Sequence, residues 1–210
     1  MRRTDLTDRD VVILGIGREG RAAARALEGI AGTLVALDDQ GGDAATAWAA
    51  EVGDRIPVFA DAADVLRARP EGGIVVTSPG IPKAHPFRVA FAAAGWPITS
   101  GTALWLAENA GSTIGVTGSK GKSTTSALIA HLLGALGIDT ALGGNIGVPA
   151  LDVAPANRTV LELSSYQCSL LDVSPDVAVL TSLFPEHLDW HGGEAAYYSC
   201  LLYTSDAADE

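Results

Sequence analysis

One short segment of this sequence combines glycine, lysine and hydroxyl residues in a way that could hold nucleotide phosphates. Successive backbone N–H groups of such a loop surround phosphate oxygens, a lysine supplies a cation and a hydroxyl can bind Mg²⁺. Val116 replaces the first glycine of the general pattern, so the motif is a variant. We interpret the segment as an ATP site, made of Gly118, Ser119, Lys120, Gly121, Lys122, Ser123 and Thr124.

Glu162 could hold a metal ion next to these phosphates. It stands where a predicted strand, VLELSS, is about to end, and α/β sheets bind ligands at the carboxyl ends of their strands. A lone glutamate at such a position is usually a solvated surface residue. Beside a phosphate loop it becomes a candidate Mg²⁺ ligand, because Mg²⁺ prefers carboxylate, hydroxyl and phosphate oxygens.

A second glycine motif, GIGREG at residues 15–20, lies between an apolar run and a helical pattern. Glycines at this spacing let a backbone approach a pyrophosphate at a helix N-terminus. Asp38 ends the next predicted strand, where a carboxylate could accept ribose hydroxyls. From this motif alone, a dinucleotide site, another nucleotide site and a purely structural turn all remain open.

Apolar runs that read as buried strands alternate with helical segments along the chain, which predicts an α/β fold. We expect a Rossmann-like doubly wound domain over residues 1–107. A truncated P-loop-type α/β domain that binds ATP should follow over 108–198, with a strand ending near Thr117 and a helix beginning near Lys122. Residues 199–210 form an atypical, acidic tail that we interpret as not native.

Composition excludes several classes of function. Fourteen basic and 25 acidic residues leave a net charge of −11, which argues against nucleic-acid binding through phosphate neutralisation. The two cysteines have no metal-ligand spacing, so neither a disulfide framework nor a zinc site is indicated. No apolar run suits a signal peptide or a membrane span. We expect a cytoplasmic monomer without a membrane partner.

Several motifs occur together in a fixed order: GIGREG, SPGI with HP, GVTGSKGKST, GGNIGVPAL, LELSSYQ and EHLDWHGG. In this order they resemble the Mur ligase family, over about residues 10–198. The resemblance implies an ATP- and Mg²⁺-dependent ligase of peptidoglycan precursor synthesis. SPGI and LELSSYQ favour the family member that adds D-glutamate to UDP-N-acetylmuramoyl-L-alanine through an acyl phosphate.

The resemblance also implies residue roles. The N-terminal domain would hold the UDP part of the substrate, through Gly17, Arg18, Glu19, Asp38, Asp39, Ser78, Pro79 and Gly80, with Asn145 contributing from the central domain. Ser123 and Glu162 would bind one Mg²⁺ and His187 a second. The residues implied in catalysis are Lys122, Asn145 and His187.

Two departures from the family pattern stand out. Family members carry a metal-bridging lysine shortly after the EHLD segment, but this chain has no lysine after Lys122. The third domain, which brings in D-glutamate, has no counterpart either, so the resemblance implies a truncated fragment that is inactive alone. Two alternatives stay open: an NAD(P)-binding oxidoreductase module, supported by GIGREG and Asp38, and a non-catalytic nucleotide-binding protein, favoured by the missing lysine.

Overall fold

The computed structural model describes residues 1–206, and these form two compact units that divide between Leu104 and Trp105. The expected boundary, 107/108, lies a few residues further along, within the same helix. Residues 207–210 of the expected tail lie outside the described residues. Within residues 1–206, every helix is too short or too polar to cross a membrane.

The first unit alternates strands and helices. Its elements are β1 (Asp10–Leu14), α1 (Arg18–Leu27), β2 (Thr33–Leu37), α2 (Gly42–Glu51), β3 (Val58–Phe59), α3 (Ala62–Ala68), β4 (Ile74–Thr77), α4 (Pro86–Ala93) and β5 (Ile98–Thr99). The five strands are parallel in the order β3-β2-β1-β4-β5. This is the doubly wound order, so the sequence prediction of a Rossmann-like domain is confirmed.

The central position of β1 follows from its sequence. Val11, Val12 and Ile13 are fully buried, because β1 pairs on both edges and is covered on both faces. Phe91 of α4 and Trp96 pack against this sheet with their ring centroids 5.1 Å apart. The glycine motif at residues 15–20 directly follows β1, so it begins at the carboxyl end of the central strand.

The second unit repeats this alternation after α5 (Gly101–Asn109), the helix that contains the division. Its elements are β6 (Thr113–Thr117), α6 (Lys122–Ala135), β7 (Thr140–Gly144), β8 (Arg158–Glu162), α7 (Ser165–Cys168), β9 (Val177–Leu180), α8 (Leu188–His191) and α9 (Glu194–Asp206). Four parallel strands lie in the order β7-β8-β6-β9. The α/β class predicted for this unit is confirmed, and the phosphate loop lies between β6 and α6 as expected.

Candidate nucleotide-binding sites

The backbone of the phosphate loop turns sharply after β6. Gly118 has φ +129°, and a Cβ there would lie only 2.4 Å from the Thr181 hydroxyl oxygen. Only glycine fits this position, because a side chain would meet both a steric clash and an unfavourable backbone conformation. The glycine of the motif is thus required by the close approach of the segment that follows β9.

That same segment holds the loop in shape by hydrogen bonds. The Ser119 N–H donates to the Ser182 carbonyl and the Lys120 N–H to the Ser182 hydroxyl, both at 2.9 Å. The Thr181 hydroxyl donates to the Lys120 carbonyl at 2.6 Å. The loop is therefore fixed by protein contacts and is preorganised for a ligand.

The two lysines of the loop have different environments. Lys122 Nζ donates to the carbonyl oxygens of Gly118 at 2.8 Å and Ser119 at 3.1 Å, so its ammonium lies over the loop itself. Lys120 is 70% exposed and forms an ion pair with Glu186. Of the two, Lys122 has the position that can bring a cation to phosphates held in the loop.

A cavity of about 330 Å³ adjoins the loop, and its lining combines two segments that are distant in sequence. Residues 119–124 form one side, and Glu186 and His187 belong to the other. His187 has φ +54°, which is rare for a residue other than glycine, and its ring lies 5.0 Å from that of Tyr166. Strain of this kind concentrates at functional sites, which favours a ligand-binding role for His187.

Glu162 lies at the end of β8 and is 1% exposed. Its Oε1 accepts a hydrogen bond from Asn145 Nδ2 at 2.9 Å, whereas its Oε2 is buried without a hydrogen-bond partner in the described part of the chain. A buried charge lacking a partner is costly, and a cation would relieve that cost. A carboxylate oxygen left free in this way fits a Mg²⁺ ion.

The strand before Asn145 is shaped to bring it to Glu162. Gly144 has φ +98°, and a Cβ on it would lie 2.2 Å from the Glu162 carbonyl oxygen. This close approach lets the Asn145 N–H donate to the same carbonyl at 2.8 Å. Glu162 and Asn145 thus form a pair, but neither lines the cavity that His187 shares with the loop.

Among the side chains that the structure describes, which end at residue 202, no cluster of three or more His, Cys, Asp and Glu is suited to a metal. The expected Mg²⁺ sites do not require one, since Mg²⁺ is usually held by one or two carboxylates together with hydroxyl, phosphate and water oxygens. The roles of Ser123, Glu162 and His187 as metal ligands stay predictions.

The sequence reading missed Tyr197 of α9. This side chain is 1% exposed, and its hydroxyl lies 2.9 Å from Ser119 Oγ in the phosphate loop. Ser119 gives its one hydroxyl hydrogen to the Phe184 carbonyl at 2.7 Å, so the Tyr197 hydroxyl is the donor between the two. Burial raises the pKa of the Tyr197 hydroxyl above its usual value. A buried tyrosine hydroxyl needs a polar partner. This requirement is the one signal by which the sequence could have indicated a contact for Tyr197.

The first unit contains a cavity of about 390 Å³ at the carboxyl ends of β1, β2 and β4. Five residues predicted to bind the UDP substrate line it: Gly17, Asp38, Asp39, Ser78 and Gly80. The other three predicted from this unit, Arg18, Glu19 and Pro79, are not among its lining residues. Arg18 and Glu19 begin α1, and their role at a diphosphate stays a prediction.

The carboxylate of Asp38 is largely engaged by backbone groups. Its Oδ2 accepts from the Ile16 N–H at 3.2 Å, and its Oδ1 accepts from Gln40 at 2.9 Å and Gly41 at 3.2 Å. Asp38 therefore ties the glycine motif to the loop after β2. This is a structural role in addition to any contact with a nucleotide.

Asp39 and His85 lie close together in the same cavity. The Phe87 N–H donates to His85 Nδ1 at 3.3 Å, which leaves Nε2 as the protonated nitrogen of the neutral ring. This Nε2 lies 3.6 Å from Asp39 Oδ2. His85 is the histidine of the HP motif, but it was not among the residues predicted to bind the substrate.

Comparison with known proteins finds similar chains and one matching family model. Residues 116–202 match the family model of the Mur ligase middle domain. The chain is 52% identical to a UDP-N-acetylmuramoyl-L-alanine–L-glutamate ligase of Salinispora tropica and 51% identical to one of Micromonospora. A UDP-N-acetylmuramoylalanine–D-glutamate ligase of Dinoroseobacter shibae is 40% identical. These alignments cover 94–95% of this chain but only 44–46% of the relatives, so the chain spans less than half of their length.

Two solved structures have the same fold. A UDP-N-acetylmuramate:L-alanyl-gamma-D-glutamyl-meso-diaminopimelate ligase from Neisseria meningitides matches with a TM-score of 0.57 at 23% identity, over 93% of this chain and 68% of that one. A murein peptide ligase from Psychrobacter arcticus matches with a TM-score of 0.53 at 19% identity, over 92% and 46%. At these identities the similarity shows the fold alone.

Proposed function

Because the chain belongs to the Mur ligase family, we propose that its two units bind the two nucleotides used by an ATP-dependent ligase of peptidoglycan precursor synthesis. The ligase joins glutamate to UDP-N-acetylmuramoyl-L-alanine. The observation that carries the proposal is the preorganised loop at residues 118–124, which shares one cavity with His187. A reaction of this kind belongs to the cytoplasm, where ATP and UDP-linked precursors are made.

The second unit binds ATP in this proposal. The backbone N–H groups of residues 121–124 and the ammonium of Lys122 hold the phosphates, and Lys122 exchanges its two carbonyl partners for phosphate oxygens. Ser123 and Glu162 would hold one Mg²⁺ and His187 a second, and these ions would supply positive charge beside the phosphates.

The chemistry follows from the poor reactivity of a carboxylate toward an amine. The alanyl carboxylate oxygen attacks the γ-phosphorus, ADP leaves and an acyl phosphate forms. The glutamate nitrogen then attacks the acyl carbon, inorganic phosphate leaves and the nitrogen loses a proton. Catalysis in such a reaction rests on positioning and electrostatic stabilisation, which are the contributions that Lys122 and Asn145 can make.

The first unit binds the UDP part of the acceptor substrate. Gly17 and the N-terminus of α1 face a cavity where backbone N–H groups can receive a diphosphate. Arg18 and Glu19 contribute at the diphosphate, and Ser78, Pro79 and Gly80 form the facing loop. Asp39 offers a carboxylate for nucleoside donors.

Either enantiomer of glutamate could be the amino-acid substrate of the proposed ligase. The sequence motifs favoured D-glutamate, the amino acid in the name of the relative at 40% identity. The relatives at 52% and 51% identity are named as ligases of L-glutamate, which favours the L enantiomer for this chain. Both enantiomers must therefore be offered in a test of turnover.

Separate titrations test the proposal on the chain as it stands. Mg·ATP, UDP-N-acetylmuramoyl-L-alanine and NADH are each added to the chain, and binding is measured by isothermal titration calorimetry. Saturable binding of the first two without NADH supports the ligase proposal, whereas NADH binding alone favours the oxidoreductase alternative. Phosphate release with D- or L-glutamate then separates a ligase from a non-catalytic nucleotide-binding protein. Sedimentation of the same sample tests the expected monomer.

A further inference from the structure

The first unit contains a buried cation next to its cavity. Arg88 lies in the first turn of α4 and is 6% exposed. Its Nη1 donates to the Ile81 carbonyl at 2.9 Å, and its Nε is buried without a hydrogen-bond partner among the described residues. The guanidinium is therefore only partly satisfied by the protein.

Arg88 has no ion-pair partner among the side chains that the structure describes, which end at residue 202. Burial lowers the pKa of its guanidinium. Arginine nevertheless stays charged in proteins, and a buried charge without a counter-charge is destabilising. A cation in the first turn of a helix also faces the positive end of the helix dipole. The buried charge of Arg88 is thus unfavourable for folding, and no ion pair in the described part of the chain offsets it.

The lining of the adjacent cavity, in contrast, carries negative charge. Asp38 and Asp39 line it, while no lysine or arginine among the described residues does. Ile81, whose carbonyl accepts from Arg88, is part of the lining, as are His85 and Phe87 just before Arg88 in the chain. An anionic ligand in this cavity would meet two carboxylates, and the guanidinium of Arg88 lies on the other side of the Ile81 peptide and can offset their charge.

We propose that Arg88 is a specificity-determining residue that selects ligands carrying phosphate groups, nucleoside diphosphates above all, over neutral nucleosides in this cavity. It acts across the Ile81 peptide by electrostatic attraction, which is strong where both charges are shielded from water. The bound anion supplies the counter-charge that the protein lacks. The inference rests on the proposed function only in taking this cavity as the nucleotide site.

The proposal predicts effects of opposite sign on folding and on binding. Arg88→Met keeps the apolar stem and removes the charge, so the melting temperature should rise or stay unchanged. Affinity for UDP should fall roughly tenfold or more, the effect of one shielded charge pair, while affinity for uridine stays within about twofold. A residue that only supported the fold would lower the melting temperature and weaken both ligands together.

The test measures UDP and uridine binding by calorimetry on the full chain, with Arg88→Met, Arg88→Lys and Lys83→Met. Lys83 is an exposed cation on the same loop and provides the control for a change of net charge. The proposal is supported if Arg88→Met loses the preference for UDP while Arg88→Lys and Lys83→Met keep it. It is overturned if the ratio of the two affinities is the same in Arg88→Met and wild type, or if Lys83→Met reduces it as much.

Two further outcomes are decisive. If wild type binds UDP but Arg88→Met and Arg88→Gln both fail to fold, the proposal is overturned, because an uncompensated charge should be removable. If wild type binds neither ligand, the assignment of the cavity as a nucleotide site fails as well. The selectivity of Arg88 and the proposed function are thereby judged by different measurements.

Discussion

Asn145 and Glu162 are joined by a hydrogen bond from Asn145 Nδ2 to Glu162 Oε1, 2.9 Å long, that leaves Glu162 Oε2 buried and without a partner among the described side chains. Gly144, which pairs with Glu162 in the sheet, brings the two side chains together. Asn145 thereby orients one carboxylate oxygen, while the other has no hydrogen bond to compensate its burial. The carboxylate is set in position by the strands β7 and β8.

This relationship predicts the effect of Glu162→Gln. The variant keeps the shape and the bond to Asn145 but removes the charge that a metal would bind. ATP affinity in Mg²⁺ should fall about tenfold, toward the value measured in EDTA, because the carboxylate–metal interaction is lost. The midpoint of urea unfolding should not fall, since an unpaired buried charge has been removed. Glu71→Gln, an exposed glutamate of the first unit, is the control. An unchanged Mg²⁺ dependence in Glu162→Gln would contradict the assignment.

Lys122→Ala tests whether ATP and UDP bind to different units. It should weaken ATP binding by at least about tenfold, because the loop loses its phosphate-facing cation, and leave UDP binding unchanged. Lys120→Ala is the matched control, since Lys120 is exposed and pairs with Glu186. Calorimetric titration of both variants with both ligands provides the comparison. An equal loss of ATP and UDP affinity would count against separate sites.

The alternation of elements and the two loops were accessible from the sequence because they depend on local patterns. β1 reads as a continuous apolar run, and the phosphate loop is bounded by an apolar strand and a long helix. By contrast, α2 has no comparable sequence signal, because its alanine-rich segment buries little more than Trp48 and shows no clear apolar stripe.

The missed functional residues depend on contacts between distant segments. The Tyr197 hydroxyl meets Ser119 across a sequence separation of 78 residues, which no spacing rule reveals. His85 faces Asp39 only because α4 follows the loop at residues 78–82. Arginine is usually exposed, and only the packing of α4 shows that Arg88 is buried.

The bond between Tyr197 and Ser119 can be measured with a double-mutant cycle. Tyr197→Phe removes only the hydroxyl, and Ser119→Ala removes its partner. Each should weaken ATP binding, and the coupling energy between them, measured on the free energy of unfolding, should be about 0.5–1.5 kcal/mol, the usual contribution of one hydrogen bond. Tyr198→Phe, the neighbour on α9, is the control, because its hydroxyl bonds Glu194 instead. Strictly additive effects on ATP binding would show that Tyr197 does not act through the loop.

Asp38 and Asp39 should differ in their effect on stability. Asp38→Ala leaves three backbone N–H groups without their acceptor, so the free energy of unfolding should fall by about 1–3 kcal/mol. Asp39→Ala, which removes a more exposed carboxylate, should weaken nucleotide binding with little loss of stability. Urea unfolding of the two variants gives the comparison. Equal stability of Asp38→Ala and wild type would exclude the structural role of Asp38.

The central claim, that residues 118–124 hold the phosphates of ATP, is tested most directly by amide hydrogen exchange with and without Mg·ATP. We expect saturable protection of the backbone N–H groups of this loop, which should require at least about tenfold more ATP in Lys122→Ala and should not occur with UDP. The account would be contradicted if Mg·ATP left exchange in the loop unchanged at saturating concentration, or protected only the first unit.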